Sequence, residues 1–285
     1  MRRFLYLWLW LWLWCGTAVA APALWLAQKG EQQFWLFGSV HIADERLKML
    51  PLPVTQALSN SELLLLEVDP LKINASSFAH VLTPGTDWQH RLGTPLADEL
   101  EQAVTTSGHA MLQQLPPWFA ALQLTQLKAQ ELGFHSRQGV DMQLRLLARQ
   151  QSVPVAGLEQ PTLVMELLAS LHERGLERDF VSHSLLEMTQ LQSHLDRLLT
   201  TWLDGDEQAL LALLQEEQSP ALTRFIEHEL LEKRNRLWLQ RLEQLNPQQA
   251  FIVVGALHLY GEQGLINLLE NAGYALSKVK DKSVY

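Results

Sequence analysis

Residues 250–258 read Ala-Phe-Ile-Val-Val-Gly-Ala-Leu-His, and this stretch decides the fold. Its first five residues form an uninterrupted apolar run, which is typical of a strand that is buried on both faces of a sheet. Gly255 lets the chain turn sharply where that strand ends. His258 follows three residues later. The stretch therefore predicts a buried parallel strand with an imidazole at its carboxyl end.

The same Gly-x-x-His pattern occurs near the start of the chain, where Gln33-Phe-Trp-Leu-Phe37 runs into Gly38-Ser-Val-His41. A second short β-rich run, Ala23-Leu-Trp-Leu-Ala27, precedes it. The two runs are separated by Lys29-Gly30-Glu31, which is typical of a tight turn. This part of the sequence predicts an N-terminal β-hairpin whose second strand ends at His41.

Two further short apolar runs predict strands, Leu63–Leu66 before Glu67 and Val153–Gly157 before Glu159. Residues 51–60 and 262–272 have the pattern of helices. Strands that alternate with helices favour a mostly parallel sheet with flanking helices. We therefore predict an α/β fold over residues 21–285, a single domain whose helical insertions, at about 73–151 and 162–245, form a large helical cap.

The first twenty residues have the layout of a secretory signal peptide. Arg2 and Arg3 are followed by an apolar run from Phe4 to Trp14 and by small residues that end at Ala20. The apolar run is shorter than the roughly 20 residues that a membrane-spanning helix needs. We expect cleavage after Ala20, hence a periplasmic or secreted protein without a stable transmembrane anchor.

Charge and cysteine content exclude several classes of protein. The formal net charge is −9, and it becomes −11 when Arg2 and Arg3 leave with the signal peptide. No basic cluster remains for nucleic acid, so we expect no nucleic-acid partner. Cys15, the only cysteine, is also removed, which excludes disulfides and a thiol nucleophile from the mature chain. The sequence leaves the oligomeric state open.

Four polar residues follow the predicted parallel strands: His41, Glu67, Glu159 and His258. Because the carboxyl ends of parallel strands meet at one edge of a sheet, we expect these side chains to converge in a crevice. Two imidazoles and one or two carboxylates suit a divalent ion such as Zn, Mn, Fe or Co. Taken singly, each histidine is more often a hydrogen-bonded structural residue. Each glutamate alone is more often a helix cap or the partner of an arginine.

The sequence resembles the TraB/GumN family, which is related to the TIKI metalloproteases, over nearly all of the mature chain. The matching segments are Phe37–His41, Glu67 with Asp69, Gly139-Val-Asp141, Gly157–Gln160, Arg234-Asn235 and Val253–Leu259 with Gly261 and Gly264. The resemblance implies a metal-dependent peptidase or hydrolase. Its metal would be held by the two Gly-x-x-His motifs and a glutamate.

These observations lead to one functional hypothesis and two alternatives. We expect an exported metal-dependent hydrolase that acts on a peptide or protein, with His41 and His258 as metal ligands. One of Glu67 and Glu159 would complete the metal shell, and the other would activate the bound water. Arg234 would stabilise the oxyanion. The first alternative is a non-enzymatic envelope protein that binds haem, metal or a peptide in the same crevice. The second is a structural or assembly role in the envelope with a degenerate site, against which the presence of all four polar residues argues.

Overall fold

The computed structural model describes residues 22–73, 75–82, 87–214 and 219–279. The predicted signal peptide, residues 1–20, lies outside these ranges. Among the helices that are described, none combines the length and the hydropathy that crossing a membrane requires.

The described strands form one six-stranded sheet in the order β4-β3-β5-β2-β1-β6. Their bounds are β1 Leu24–Lys29, β2 Gln32–Ser39, β3 Leu63–Leu66, β4 Val155–Gly157, β5 Gln249–Gly255 and β6 Ala275–Lys278. β1 and β2 pair antiparallel around the turn at Gly30, where φ is +60°. The predicted N-terminal β-hairpin is confirmed.

Strands β2, β3, β4 and β5 all run in the same direction. β5 lies between β2 and β3, so that Val253 pairs with Phe37 on one side and with Leu66 on the other. β4 pairs parallel with β3, whereas β6 is antiparallel to β1. The mostly parallel sheet is thus confirmed. Since the four parallel strands end at one edge, the residues that follow them are neighbours there.

Helices flank this sheet and form the cap. Their bounds are α1 Leu52–Ser59, α2 Trp88–Leu92, α3 Thr94–Thr106, α4 Pro117–Glu131, α5 Val140–Gln150, α6 Leu163–Ala169, α7 Glu177–Thr189, α8 Leu191–Asp204, α9 Glu207–Leu214, α10 Pro220–Phe225, α11 Lys233–Leu245 and α12 Leu265–Asn271. The helix predicted at 51–60 is α1, and the one predicted at 262–272 is the shorter α12.

The alternation of side chains along β5 divides the core into two layers. Phe251 and Val253 pack on one face, in a cluster shared with α1, α5 and α8. Ile252 and Val254 pack on the opposite face, in a cluster shared with α11 and α12. Each is fully buried, and burying one such side chain stabilises the fold by about 1.5–3 kcal/mol. This explains why the strand is apolar at every position from Ala250 to Val254.

The cap has its own apolar core and a buried ion pair. α2, α3, α4 and α7 share a cluster that includes Leu100, Leu124 and Val181. Arg91 donates two hydrogen bonds of 2.7 Å to Glu177, whose side chain is buried. This bidentate pair joins α2 to the beginning of α7.

A π-helix, Ile226–Glu232, connects α10 to α11. At its end, the N–H of Lys233 bonds to the carbonyl of His228, five residues earlier. Such segments are rare and occur frequently at functional sites. Arg234 follows directly, in the first turn of α11, and its side chain points to the carboxyl edge of the sheet.

Candidate active site at the carboxyl edge of the sheet

The structure brings His41, Glu67 and His258 together around Gly255, the residue that ends β5. A Cβ atom on Gly255 would lie 3.2 Å from Glu67 Oε1, 3.5 Å from His258 Cδ2 and 3.8 Å from His41 Nε2. Glu67 Oε1 accepts a hydrogen bond of 2.6 Å from the Gly255 N–H. A side chain at position 255 would therefore fill the space that these three groups surround. This explains the glycine in the second Gly-x-x-His motif.

His41 follows β2 and is oriented by an aspartate on α5. Its Nδ1 lies 2.9 Å from Asp141 Oδ2, which leaves Nε2 facing Gly255. The negative charge of Asp141 raises the pKa of His41 to about 9. The imidazole therefore carries two protons at neutral pH, and it must lose one before Nε2 can donate a lone pair.

Gly139 sets the position of that aspartate. Val140, the first residue of α5, donates a backbone hydrogen bond of 3.0 Å to the carbonyl of Val40. This brings α5 so close that a Cβ atom on Gly139 would collide with the backbone of His41. The short stretch Gly139-Val-Asp141 thus combines a close backbone approach with the carboxylate that holds the imidazole.

His258 is buried, and its protonation state is defined by an asparagine. Asn235 Nδ2 donates to the carbonyls of His258 and Gln263, at 3.1 and 2.8 Å, so its Oδ1 faces His258 Nδ1 at 2.7 Å. Nδ1 therefore carries the proton and Nε2 is the acceptor. Burial lowers the pKa of His258 to about 3, with a further contribution from the charge of Arg234. The imidazole is neutral.

Arg234 occupies the centre of the hydrogen-bond network, and all five of its N–H groups are used. Nε and Nη2 bind Glu159 at 2.9 and 2.8 Å, and Nη2 also binds Glu67 at 2.5 Å. Nη1 donates to the carbonyl of Leu230 at 2.8 Å and to His258 Nε2 at 3.0 Å. In this arrangement no N–H is left for a substrate oxyanion, the role expected from the sequence. The guanidinium instead positions both carboxylates and one imidazole.

The two glutamates differ in their electrostatics. Burial alone would raise the pKa of Glu67, but its electrostatic interactions with His258, His41 and Arg234 outweigh burial and lower the pKa to about 2. Burial raises the pKa of Glu159, although hydrogen bonds from Arg234 and Trp238 oppose the shift. Glu67 is thus the permanent anion beside both histidines. Glu159 takes up a proton more readily.

The imidazoles and carboxylates of this site are suitable ligands for a divalent ion, but their present spacing is not suitable. Both imidazoles are held at Nδ1 by a partner, which is the usual arrangement for metal-binding histidines. His258 Nε2 lies 3.9 Å from Glu67 Oε1. However, no group of three or more His, Cys, Asp or Glu side chains among the described residues is arranged to hold a metal ion. In addition, Arg234 Nη1 takes up the lone pair of His258 Nε2 that an ion would need.

Three residues that hold this site were not predicted as site residues: Asp141, Asn235 and Trp238. Trp238 donates to Glu159 Oε2 at 2.9 Å, and its ring packs against that of His258 with centroids 4.4 Å apart. Asp141 and Asn235 do lie in sequence segments that matched the TraB/GumN pattern. For Trp238 the signal was its position one helical turn after Arg234, which places both on one face of α11.

Comparisons with known proteins identify a family and two relatives. The model of the TraB/PrgY/gumN family matches residues 23–278. Uncharacterized protein YbaP of Escherichia coli (strain K12) is 28% identical over 256 residues, which cover 87% of this chain and 92% of that protein. The protein of the same description from Shigella flexneri gives the same identity and coverage. No solved structure matches the chain. Because this family match covers almost all of the described residues, the chain belongs to the TraB/PrgY/gumN family.

Proposed function

We propose that this protein is a metal-dependent hydrolase that cleaves peptide bonds in a peptide or protein. One observation carries the proposal. The imidazoles of both Gly-x-x-His motifs lie around Gly255 beside Glu67, and each is held through Nδ1 so that Nε2 is directed to the site.

His41, His258 and Glu67 are the residues that would hold the ion, which we expect to be Zn, Mn, Co or Fe. An ion at His258 Nε2 would take the place of the hydrogen bond from Arg234 Nη1. When bound, a divalent ion lowers the pKa of a coordinated water to about 7 and polarises a carbonyl group. Asp141 and Asn235 keep the two rings in the orientation that this requires. Such outer partners raise the basicity of the ligand and prevent the ring from turning away.

Glu159 is the residue that we assign to proton transfer. Its carboxylate lines the cavity at the site, and burial raises its pKa. A raised pKa favours uptake of a proton by a general base. Oε1 accepts one hydrogen bond from Arg234, so a second lone pair remains for a proton. Arg234 keeps Glu67 and Glu159 close together, since it bonds to both carboxylates.

Metal analysis combined with a peptide library tests the proposal. Protein purified without chelators and without a histidine tag should contain one divalent ion per chain, or bind one tightly when it is added. The loaded protein should cleave members of the library, and removal of the ion should abolish cleavage. A protein that neither binds a divalent ion nor cleaves any peptide would refute the proposal. Titration with haem, followed by its absorption spectrum, tests the first alternative expected from the sequence.

Replacement of the two glutamates separates their roles. Glu67→Gln should weaken metal binding, because glutamine removes the anionic ligand. Glu159→Gln should leave the metal in place and slow turnover by about 10²–10⁴-fold, because an amide cannot accept the proton. Bound metal and cleavage rate are measured for both variants. Equal loss of metal in the two variants would contradict the assignment.

Export is part of the proposal and rests on the signal-peptide layout of residues 1–20. The protein recovered from the periplasm or medium should begin at Ala21-Pro22-Ala23, which N-terminal sequencing determines. Ala18→Arg and Ala20→Arg should each block cleavage, because the processing enzyme requires small residues at these positions. Recovery of the unaltered chain with Met1 intact from a membrane fraction would contradict export by this route.

A further inference from the structure

A cavity of about 640 Å³ adjoins the candidate active site. At one end it is bordered by His41, Glu67, Asp141 and Glu159. Its other lining residues are all apolar: Val68, Pro70, Ile73, Phe78, Leu82, Phe119, Pro161, Val164 and Met165. Neither lysine nor arginine is among the residues that line it. One end of the cavity is thus ionic and the remainder is apolar.

The apolar lining comes from separate parts of the chain. Val68 to Leu82 follow β3, Phe119 belongs to α4, and Pro161 to Met165 lead into α6 and form its first turn. Ile73 remains half exposed, with 50% of its surface accessible. Exposed apolar surface costs free energy in water, and contiguous apolar surface beside polar groups is typical of a ligand site. A ligand that covered this lining would remove that cost.

Charge restricts which ligand fits. Glu67, Glu159 and Asp141 outnumber the protonated His41 at the ionic end, and none of the described residues of the remaining wall is a cation that could neutralise an anionic group. A carboxylate or phosphate in the apolar part would be desolvated without a partner, which is strongly unfavourable. An uncharged aliphatic or aromatic group has no such penalty. The cavity therefore discriminates by polarity as well as by volume.

We propose that this cavity binds an uncharged apolar group attached to the carbonyl that reacts beside Gly255. The inference rests on the proposed function for the identity of that carbonyl. The substrate would thus carry an apolar acyl group. This group can belong to an aliphatic or aromatic amino acid or to a fatty acyl chain. A substrate with Asp or Glu at that position would be rejected.

Binding of a neutral fluorescent probe tests the cavity without any turnover. N-phenyl-1-naphthylamine should bind the full chain with increased fluorescence. Ile73→Asp should weaken binding about tenfold or more, because it places a carboxylate in the apolar wall. Ile73 is half exposed, so this variant should still fold. Phe119→Ala should also weaken binding by removing an aromatic wall. Leu186→Asp is the matched control, because Leu186 is also 50% exposed and does not line this cavity.

Cleavage of two substrate series then identifies the source of the apolar group. The first series contains peptides with Gly, Leu, Phe or Asp at the residue that provides the reacting carbonyl, and the second contains acyl amides of increasing chain length. We expect kcat/KM for Leu or Phe to exceed that for Gly by about 10–200-fold. Ile73→Asp should reduce this ratio. If kcat/KM increases more with the length of the acyl chain than with the size of the amino-acid side chain, the apolar group is a fatty acyl chain.

The outcomes distinguish this inference from the proposed function. Probe binding that is lost in Ile73→Asp but kept in Leu186→Asp supports the apolar cavity. If no substrate is cleaved in the same set of experiments, the proposed function fails while the cavity inference stands. Cleavage without preference between Leu, Gly and Asp overturns the cavity inference and leaves the hydrolase intact. Probe binding that is equal in all variants overturns the cavity inference as well.

Discussion

Replacement of Arg234 by leucine is expected to lower the free energy of unfolding by about 3–5 kcal/mol, because it removes the shared partner of two buried carboxylates. Glu67 and Glu159 would then lack the guanidinium that bonds to both of them. Leucine cannot replace the five hydrogen bonds that the guanidinium donates. Thermal unfolding measures the effect, and the expected loss corresponds to a fall in melting temperature of roughly 10 °C.

The same variant should become dependent on divalent ions for its stability. With Arg234 absent, the lone pair of His258 Nε2 and the carboxylates of Glu67 and Glu159 all become available to a cation. Added Zn²⁺, Mn²⁺ or Co²⁺ should therefore raise the melting temperature of Arg234→Leu, since a ligand that binds only the folded state stabilises it.

Arg91→Leu is the matched control for this experiment. Arg91 also forms a bidentate pair with a buried carboxylate, that of Glu177, but in the helical cap and with one carboxylate instead of two. It should lose stability as Arg234→Leu does, without recovering it when the ion is added. If the ion raises the melting temperature of both variants equally, or of neither, Arg234 does not compete with a metal at this site.

Replacement of His258 by alanine is expected to abolish both metal binding and cleavage. Loss of an outer partner of a ligand typically costs 10–100-fold in metal affinity, so loss of the ligand itself should cost more than about 100-fold. Alanine also removes the acceptor of Arg234 Nη1 and the ring that packs on Trp238. Metal content by elemental analysis and cleavage of the best library peptide are the two measurements.

Asn235→Ala provides an intermediate variant for comparison. It removes the acceptor that holds the Nδ1 proton of His258 and leaves Nε2 in place. It should therefore weaken metal binding by about 10–100-fold without abolishing it. His109→Ala is a neutral control, because that side chain is exposed on the cap. If His258→Ala kept full cleavage, the activity would come from another part of the molecule and the proposed mechanism would be abandoned.

The strands could be predicted because their physical signal is local. Residues 250–254 are apolar at every position, and only a strand that is covered on both faces buries all of them. The hairpin was equally clear, since Gly30 supplies the left-handed conformation that its tight turn needs. The helices of the cap were predicted only as a helical region. The ends of these helices depend on contacts between residues that are far apart in sequence, such as Arg91 and Glu177.

The edge of the sheet at which the polar residues meet also follows from the sequence. Once four runs are identified as parallel strands, His41, Glu67, Glu159 and His258 must lie at one edge, because all four follow the carboxyl end of a strand. The sequence pattern does not contain the direction in which each side chain points. That direction depends on the loops that follow the strands and on the helices packed against them.

The sequence by itself determined the α/β class, the hairpin and the edge of the sheet where histidines and glutamates gather. These properties depend on short runs of apolar residues and on strand direction. Only the tertiary structure decided which groups bind each other there. It places Asp141 against His41, Asn235 against His258, and Arg234 between Glu67 and Glu159, partners that lie 23 to 167 residues apart along the chain. Hydrogen bonds and ion pairs act over a few ångströms in space, so packing of α5 and α11 against the sheet had to create them.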